Sequence, residues 1–238
     1  MLALPKDAYG LLTTLEAAGY ECRAVGGCVR DMLLGRVPGD YDLCTNATPG
    51  EMLALFGGRR LLTAGLKHGT VALLLGRKGY EITTYRADAA DTDHRRPEFV
   101  RFVRTLDKDL SRRDFTVNAM AYRPGLSLFD PFDGRGDLSR RVIRCVGDPF
   151  ARFEEDALRV LRALRFASRL NFAIEETTAR AMLAKMALLN CLSAERVWGE
   201  LTGLLAQRHV GRALPAFFPI LETVLPGADK DAACALCQ

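Results

Sequence analysis

Asp40 and Asp42 stand one residue apart in the run GDYDL. Tyr41–Cys44 reads as a strand, and on a strand residues i and i+2 share a face. Two carboxylates side by side repel each other, and a divalent cation removes that cost; their hard oxygen atoms suit magnesium. A pair of such ions can clamp the attacking and leaving oxygens of a phosphoryl transfer. Glu81 is the candidate third acid, because its surroundings in GYEITTYR are apolar and β-branched, a poor place for an idle carboxylate. Upstream, Val25-Gly26-Gly27 closes a strand just before a helix begins. Glycines there let backbone approach a phosphate, and a helix N-terminus favours an anion. Arg30, on the first turn of that helix, reaches the same phosphates. Each signal alone also fits a plain turn or a solvated strand end; strand, double glycine, helix, arginine and paired acids in succession point to a metal-dependent reaction on a phosphate ester.

The elements that must position these residues follow from local patterns. Residues 7–18 read as an amphipathic helix, 21–27 as a strand and 29–34 as a short helix. Thr48 followed by Pro49 marks a helix start. Two apolar runs, 70–75 and 80–86, are joined by Gly76-Arg77-Lys78-Gly79 and read as a hairpin. The polar stretch 87–98 reads as a mobile loop, residues 99–104 as a strand, and Asn118 with its neighbours as helical. Beyond about residue 148 strand signals vanish and helical patterns follow. The expected organisation is a mixed α/β domain over 1–147 and an all-helical domain over 148–238.

Bulk properties narrow the class without identifying it. The chain has 238 residues, 49% hydrophobic and 26% charged, the balance of an ordinary globular protein. It has no apolar run long enough for a transmembrane helix and no N-terminal basic-then-apolar leader, so a cytoplasmic protein is expected. The seven cysteines are scattered and odd in number, which fits thiols rather than a disulfide framework. Cys234 and Cys237 form one CxxC without a second pair, a weak zinc signal. Arginines cluster at 95–104, 112–113, 135–144 and 152–169. Planar guanidinium groups suit phosphate-bearing partners, and a solvated charged surface gives the same pattern.

Several motifs carry a family resemblance. GGCVRDMLLGRVPGDYDLCT (26–45) resembles the head motif of the class II CCA-adding enzymes and bacterial poly(A) polymerases, within the polymerase-β-like nucleotidyltransferases. LKHGTVALLL and EITTYR (66–75, 81–86) resemble the next two strands, and DTDHRRPEFVRF the family's flexible loop. RRDFTVNAMAY (112–122), DPFDGRGDL (130–138), EEDALRVLRALRFASRLNF (154–172) and ERVWGE (195–200) resemble its later motifs, in order.

The resemblance implies an α+β fold: a nucleotidyltransferase head with a small mixed sheet, then an all-helical neck. It implies template-independent addition of C, C and A to the 3′ end of tRNA from CTP and ATP, with Mg2+ on Asp40 and Asp42, and Glu81 as the third catalytic acid. Gly26, Gly27, Arg30, Arg113 and Asp114 are implied at the incoming nucleotide, with Asp156 and Arg159 at the base edge and Arg162 and Arg165 in the same site. Aspartate accepts and arginine donates, so the pair can match cytosine or adenine as a base partner would. Spacing by three makes 156, 159, 162 and 165 a slanting helical ridge, with Val160, Leu161, Leu164 and Ala167 facing a core. Glu195, Arg196 and Glu200 read equally as ion pairs within one helix. Trp198 reads as core and His68 as structural. Alternatives are a CC-adding or A-adding enzyme, a poly(A) polymerase, although 66–75 lacks the basic pattern of that branch, and a non-catalytic RNA-binding module. Family members usually continue into body and tail regions beyond the neck, so a fragment or a short form is expected.

Overall fold

A computed structural model describes residues 2–88, 100–227 and 229. It separates into two compact units. Among the described residues the first holds 2–88, 100–113 and 117–135, and the second holds 114–116, 136–227 and 229.

The first unit begins with α1 (Lys6–Ala17), β1 (Cys22–Val25), α2 (Gly27–Leu33), β2 (Leu43–Thr45) and α3 (Pro49–Phe56). There follow β3 (Leu61–Leu62), β4 (Thr70–Leu75), β5 (Lys78–Thr84), β6 (Arg86–Asp88), β7 (Val100–Phe102), α4 (Leu106–Ser111) and β8 (Ala121–Tyr122). Six strands form one sheet in the order β3-β4-β5-β2-β1-β8. β2 and β5 run parallel and the other pairs antiparallel, so the sheet is mixed. The apolar stripe of α1 accounts for its place. Ala8, Leu11, Leu12 and Leu15 are fully buried, and each leucine so covered contributes about 1.5–3 kcal/mol.

Three local features differ from the sequence reading. β2 starts at Leu43 rather than Tyr41, so the paired acids lie just before the strand; the Asp42 carbonyl still accepts from Val25 N–H at 3.0 Å. α2 starts at Gly27 rather than Val29, because Gly26 turns the chain with φ 74°. The β4–β5 hairpin pairs Leu75 with Lys78, leaving Gly76-Arg77 alone as the turn, with φ 60° at Gly76. This two-residue form matches the right-handed twist of the strands. The expected loop 87–98 begins in order, since Ala87 and Asp88 pair with Arg101 and Val100; 89–98 fall outside the described residues, as do Cys234 and Cys237.

Next in the chain is α5 (Gly134–Arg140). The second unit then has β9 (Val142–Ile143), α6 (Pro149–Glu155), α7 (Leu158–Leu170), β10 (Ala173–Ile174), α8 (Glu176–Lys185), α9 (Ala194–Leu205), α10 (Val210–Ala213) and α11 (Phe218–Val224). Among the described residues its elements are helices apart from the short parallel pair β9–β10. Val160, Leu161, Leu164 and Ala167 of α7 are buried, as their spacing predicts. Trp198 is not core: it is 61% exposed on α9.

Caps set the helix starts. At α3, Thr48 Oγ1 accepts from Glu51 N–H at 3.4 Å, and the Glu51 carboxylate accepts from Thr48 N–H at 2.6 Å. Removing that reciprocal pair by Thr48→Ala costs about 1 kcal/mol. Thermal denaturation should show a fall of roughly 2–4 °C; an unchanged melting temperature would mean the box contributes nothing to the first unit.

Candidate active site

In the first unit the sheet brings the acids together. The parallel register Leu43↔Ile82 sets the residues just before them, Asp42 and Glu81, side by side. Asp40 and Glu81 are exposed, and Asp42 is half-buried. The Asp42 carboxyl is pushed up to about 6 by its burial first, then by the charges of Asp40 and Glu81, while Arg113 pulls it down. A carboxylate partly withdrawn from water and set near two other acids, with Arg113 compensating only in part, shifts in this direction. A divalent cation fits such a site, because it supplies the missing charge to oxygen ligands. Among the described residues no three His, Cys, Asp or Glu side chains are gathered tightly enough to hold a metal by themselves. Glu81 therefore acts on Asp42 through space here. Cys28, behind this site, has its thiol pushed up to about 12 by burial and then by Asp42, so it stays a protonated spectator.

Arg113 stands against Gly26. A Cβ at Gly26 would lie 2.9 Å from Arg113 Nη1, so the glycine leaves room for the guanidinium as well as turning the chain. On its other side Arg113 Nη2 donates to Asp109 Oδ2 at 3.1 Å. Arg30 is placed differently from the expectation that it reaches phosphate. It is 2% exposed, with Nε 2.8 Å from Asp31 Oδ1 and Nη1 2.7 Å from Asn118 Oδ1. In this structure Arg30 is a buried strut. It ties α2 to the segment leading into β8, which pairs Ala121 with Val25, and a Cβ at Gly27 would lie 3.6 Å from its Nη2.

The remaining candidates belong to the second unit. Asp156 is not on the helix that carries Arg159. It lies at the joint after α6, and Leu158 N–H donates to its Oδ1 at 3.2 Å, opening α7. The expected ridge therefore starts at Arg159. Arg196 Nη2 donates to both oxygens of Asp156, at 3.0 and 3.1 Å. Each carboxylate oxygen accepts more than once, so this bond orients Asp156 without exhausting it. Arg159 Nη1 donates to Glu155 at 2.8 Å and to the Arg152 carbonyl at 3.2 Å.

Arg162 and Arg165 share the carboxylate of Glu200, and Arg162 also donates to Asp114 Oδ2 at 2.6 Å. Both guanidinium groups lie over the Phe166 ring, 5.4 and 4.9 Å from its centroid. Asp114 thus holds Arg162 rather than standing open to a ligand. Arg196 and Glu200 pair across helices, not along their own, which corrects the intrahelical reading of ERVWGE. Asp109, Asn118 and these two cross-helix partners were missed in the sequence as site residues. Only Asp109 left a local signal there, its spacing of three and four from Arg112 and Arg113.

Known proteins resemble this chain over most of its length. The family described as Poly A polymerase head domain matches residues 22–144, and that described as Probable RNA and SrmB- binding site of polymerase A matches 171–230. A CCA-adding enzyme of Geobacillus thermodenitrificans is 46% identical over 93% of this chain and 55% of its own length. One from Levilactobacillus brevis is 50% identical over 85% of this chain and 51% of its own. The crystal structure of the Bacillus stearothermophilus CCA-adding enzyme in complex with CTP superposes with TM-score 0.88 at 40% identity, covering 98% of this chain and 57% of that one. The Thermotoga maritima CCA-adding enzyme complexed with tRNA_CCA gives TM-score 0.78 at 29% identity, over 96% and 54%. The chain spans about half the length of the curated relatives it matches. No helix among the described residues is long and apolar enough to cross a membrane.

The raised Asp42 has a measurable consequence. Its carboxyl moves from 3.8 to about 6 on folding, so the folded state binds more protons between those values. Its contribution favours folding at low pH and is lost as pH rises through 6. In chelator at pH 7, Asp42→Asn should be more stable than wild type by on the order of 1–2 kcal/mol, after allowance for solvent screening. The gap should close near pH 4, and a divalent cation that binds at the acids should stabilise wild type alone. Equal stabilities at pH 7, or a gap that widens on acidification, would contradict the crowding.

Proposed function

We propose that this chain, which belongs to the family of the poly(A) polymerase head domain, adds C, C and A to the 3′ end of tRNA from CTP and ATP, without a nucleic-acid template. The observation that carries the reading is the crowding of Asp40 and Glu81 about Asp42 beside Arg113, in a chain that resembles CCA-adding enzymes along nearly its whole length. The catalytic head is assigned to 1–147 and the nucleotide-selecting neck, with the start of a body, to 148–238. Substrates that are tRNA assign the work to the cytoplasm.

In the proposed reaction the tRNA 3′ oxygen attacks the α-phosphorus of the nucleotide in line, the bond to the β-phosphate oxygen breaks, and pyrophosphate leaves. Asp40 and Asp42 would hold Mg2+, which when bound lowers the pKa of the hydroxyl and neutralises charge in the transition state. Glu81 keeps the Asp42 carboxylate in demand of a cation. Arg113 binds the triphosphate, and Gly26 and Gly27 leave space beside it. Arg30 supports the wall of the site through Asp31 and Asn118. Asp156 and Arg159 meet the base edge; a base whose donors and acceptors are reversed leaves them unpaired, which discriminates by on the order of a thousandfold. Arg162 and Arg165, steadied by Asp114 and Glu200, supply positive charge to the same nucleotide.

The test uses tRNA ending before the first C, after C, or after CC, each with Mg2+ and with CTP or ATP alone. Full CCA addition predicts CTP-dependent growth of the first two and ATP-dependent growth of the third. Growth of only one class would reassign the chain to a CC-adding or A-adding enzyme, and long A tails to a poly(A) polymerase. Asp42→Ala should lower every product by about a thousandfold or more. Normal turnover by that variant would remove the acidic pair from catalysis.

A further inference from the structure

One carboxylate outside the acidic pair has no part in the mechanism above, yet it is among the most thoroughly engaged groups of the first unit. Asp109 lies on α4 and is 1% exposed. Its Oδ1 accepts from Arg112 Nε at 3.1 Å, from Arg112 Nη2 at 2.9 Å and from the Arg86 backbone N–H at 3.2 Å. Its Oδ2 accepts from Arg113 Nη2 at 3.1 Å. Burial pushes this carboxyl up, and Arg113, Arg112 and the Arg86 N–H outweigh it, so that it sits below the ordinary aspartate value and stays charged.

The geometry points to Asp109 as the positioning residue for Arg113. The guanidinium is confined between two features, the Asp109 carboxylate and the Gly26 backbone, where even a methyl group would come within 2.9 Å of Nη1. It is only 20% exposed. An arginine carries many rotatable bonds, and ordering them when a ligand arrives costs affinity. Asp109 meets that cost at folding, so Arg113 is already aimed beside Asp42 when a triphosphate binds. Arg112 donates to the other oxygen, Oδ1, and leaves the Oδ2 bond to Arg113 untouched. Asp109 touches neither phosphate nor base; it acts through Arg113. This inference rests on the nucleotide-binding reading of Arg113.

The test is CTP binding by titration calorimetry with Mg2+ and no tRNA, so that affinity is read without turnover. Asp109→Asn keeps the shape and removes the charge, and it should weaken CTP binding about tenfold or more. Arg113→Ala should weaken it similarly, and the double variant should be no worse than Arg113→Ala alone, because the two act as one unit. Arg112→Gln takes a comparable ion pair from the same carboxylate and leaves the Arg113 bond; it should lower the melting temperature while holding CTP affinity within about twofold. Asp109→Asn with wild-type affinity, additive losses in the double variant, or a loss in Arg112→Gln equal to that in Asp109→Asn would each overturn the assignment. A wild-type chain that binds CTP but extends no tRNA would sink the proposed reaction and leave the role of Asp109 standing. A wild-type chain that binds no CTP would sink both.

Discussion

A half-buried carboxylate with two more acids beside it is the costly feature of the first unit. Burial comes first, and the charges of Asp40 and Glu81 add to it, in pushing the Asp42 carboxyl up to about 6. The sheet keeps the backbone at Asp42 next to that at Glu81, because β2 and β5 pair in parallel with Leu43 opposite Ile82. The compensation is partial: Arg113 lowers the Asp42 carboxyl but does not restore it. What remains is an affinity for added positive charge, which is what a cation-dependent phosphoryl transfer uses.

The arginine beside these acids is itself held from within the protein. Arg113 Nη2 donates to Asp109 Oδ2 at 3.1 Å, and a carboxylate so buried must be fully hydrogen-bonded to be tolerable. It has four donors, so the condition is met. The second unit uses the same device. Glu200 ties down Arg162 and Arg165, and Arg196 ties down Asp156, each from a neighbouring helix. In both units the groups expected to meet ligand are held by groups that need not meet it.

Much of this was legible beforehand. The double glycine, the acidic pair, the capped start of α3, the hairpin and the apolar face of α7 all follow from spacing within a few residues. The details that differ have two kinds of cause. The start of α2 and the break before α7 are set locally, by the turn at Gly26 and by Leu158 N–H donating to Asp156, while other differences depend on partners far along the chain. Arg30 is the sharpest instance. Its position after a glycine turn suggests a phosphate ligand, but Asn118, 88 residues away, draws it inward.

The amino-acid sequence by itself determined the chemistry available: which residues are acids and arginines, their order, and the elements that short-range periodicity can write. Tertiary structure alone decided which of those groups face one another and which are occupied. Side-chain partners such as Asp109 with Arg113, Glu200 with Arg165 and Asn118 with Arg30 depend on packing across strands and helices. A carboxylate's ionisation, an arginine's reach and a tryptophan's burial are properties of that packing, since each is set by the charges and solvent within a few ångströms in space rather than by neighbours in the chain.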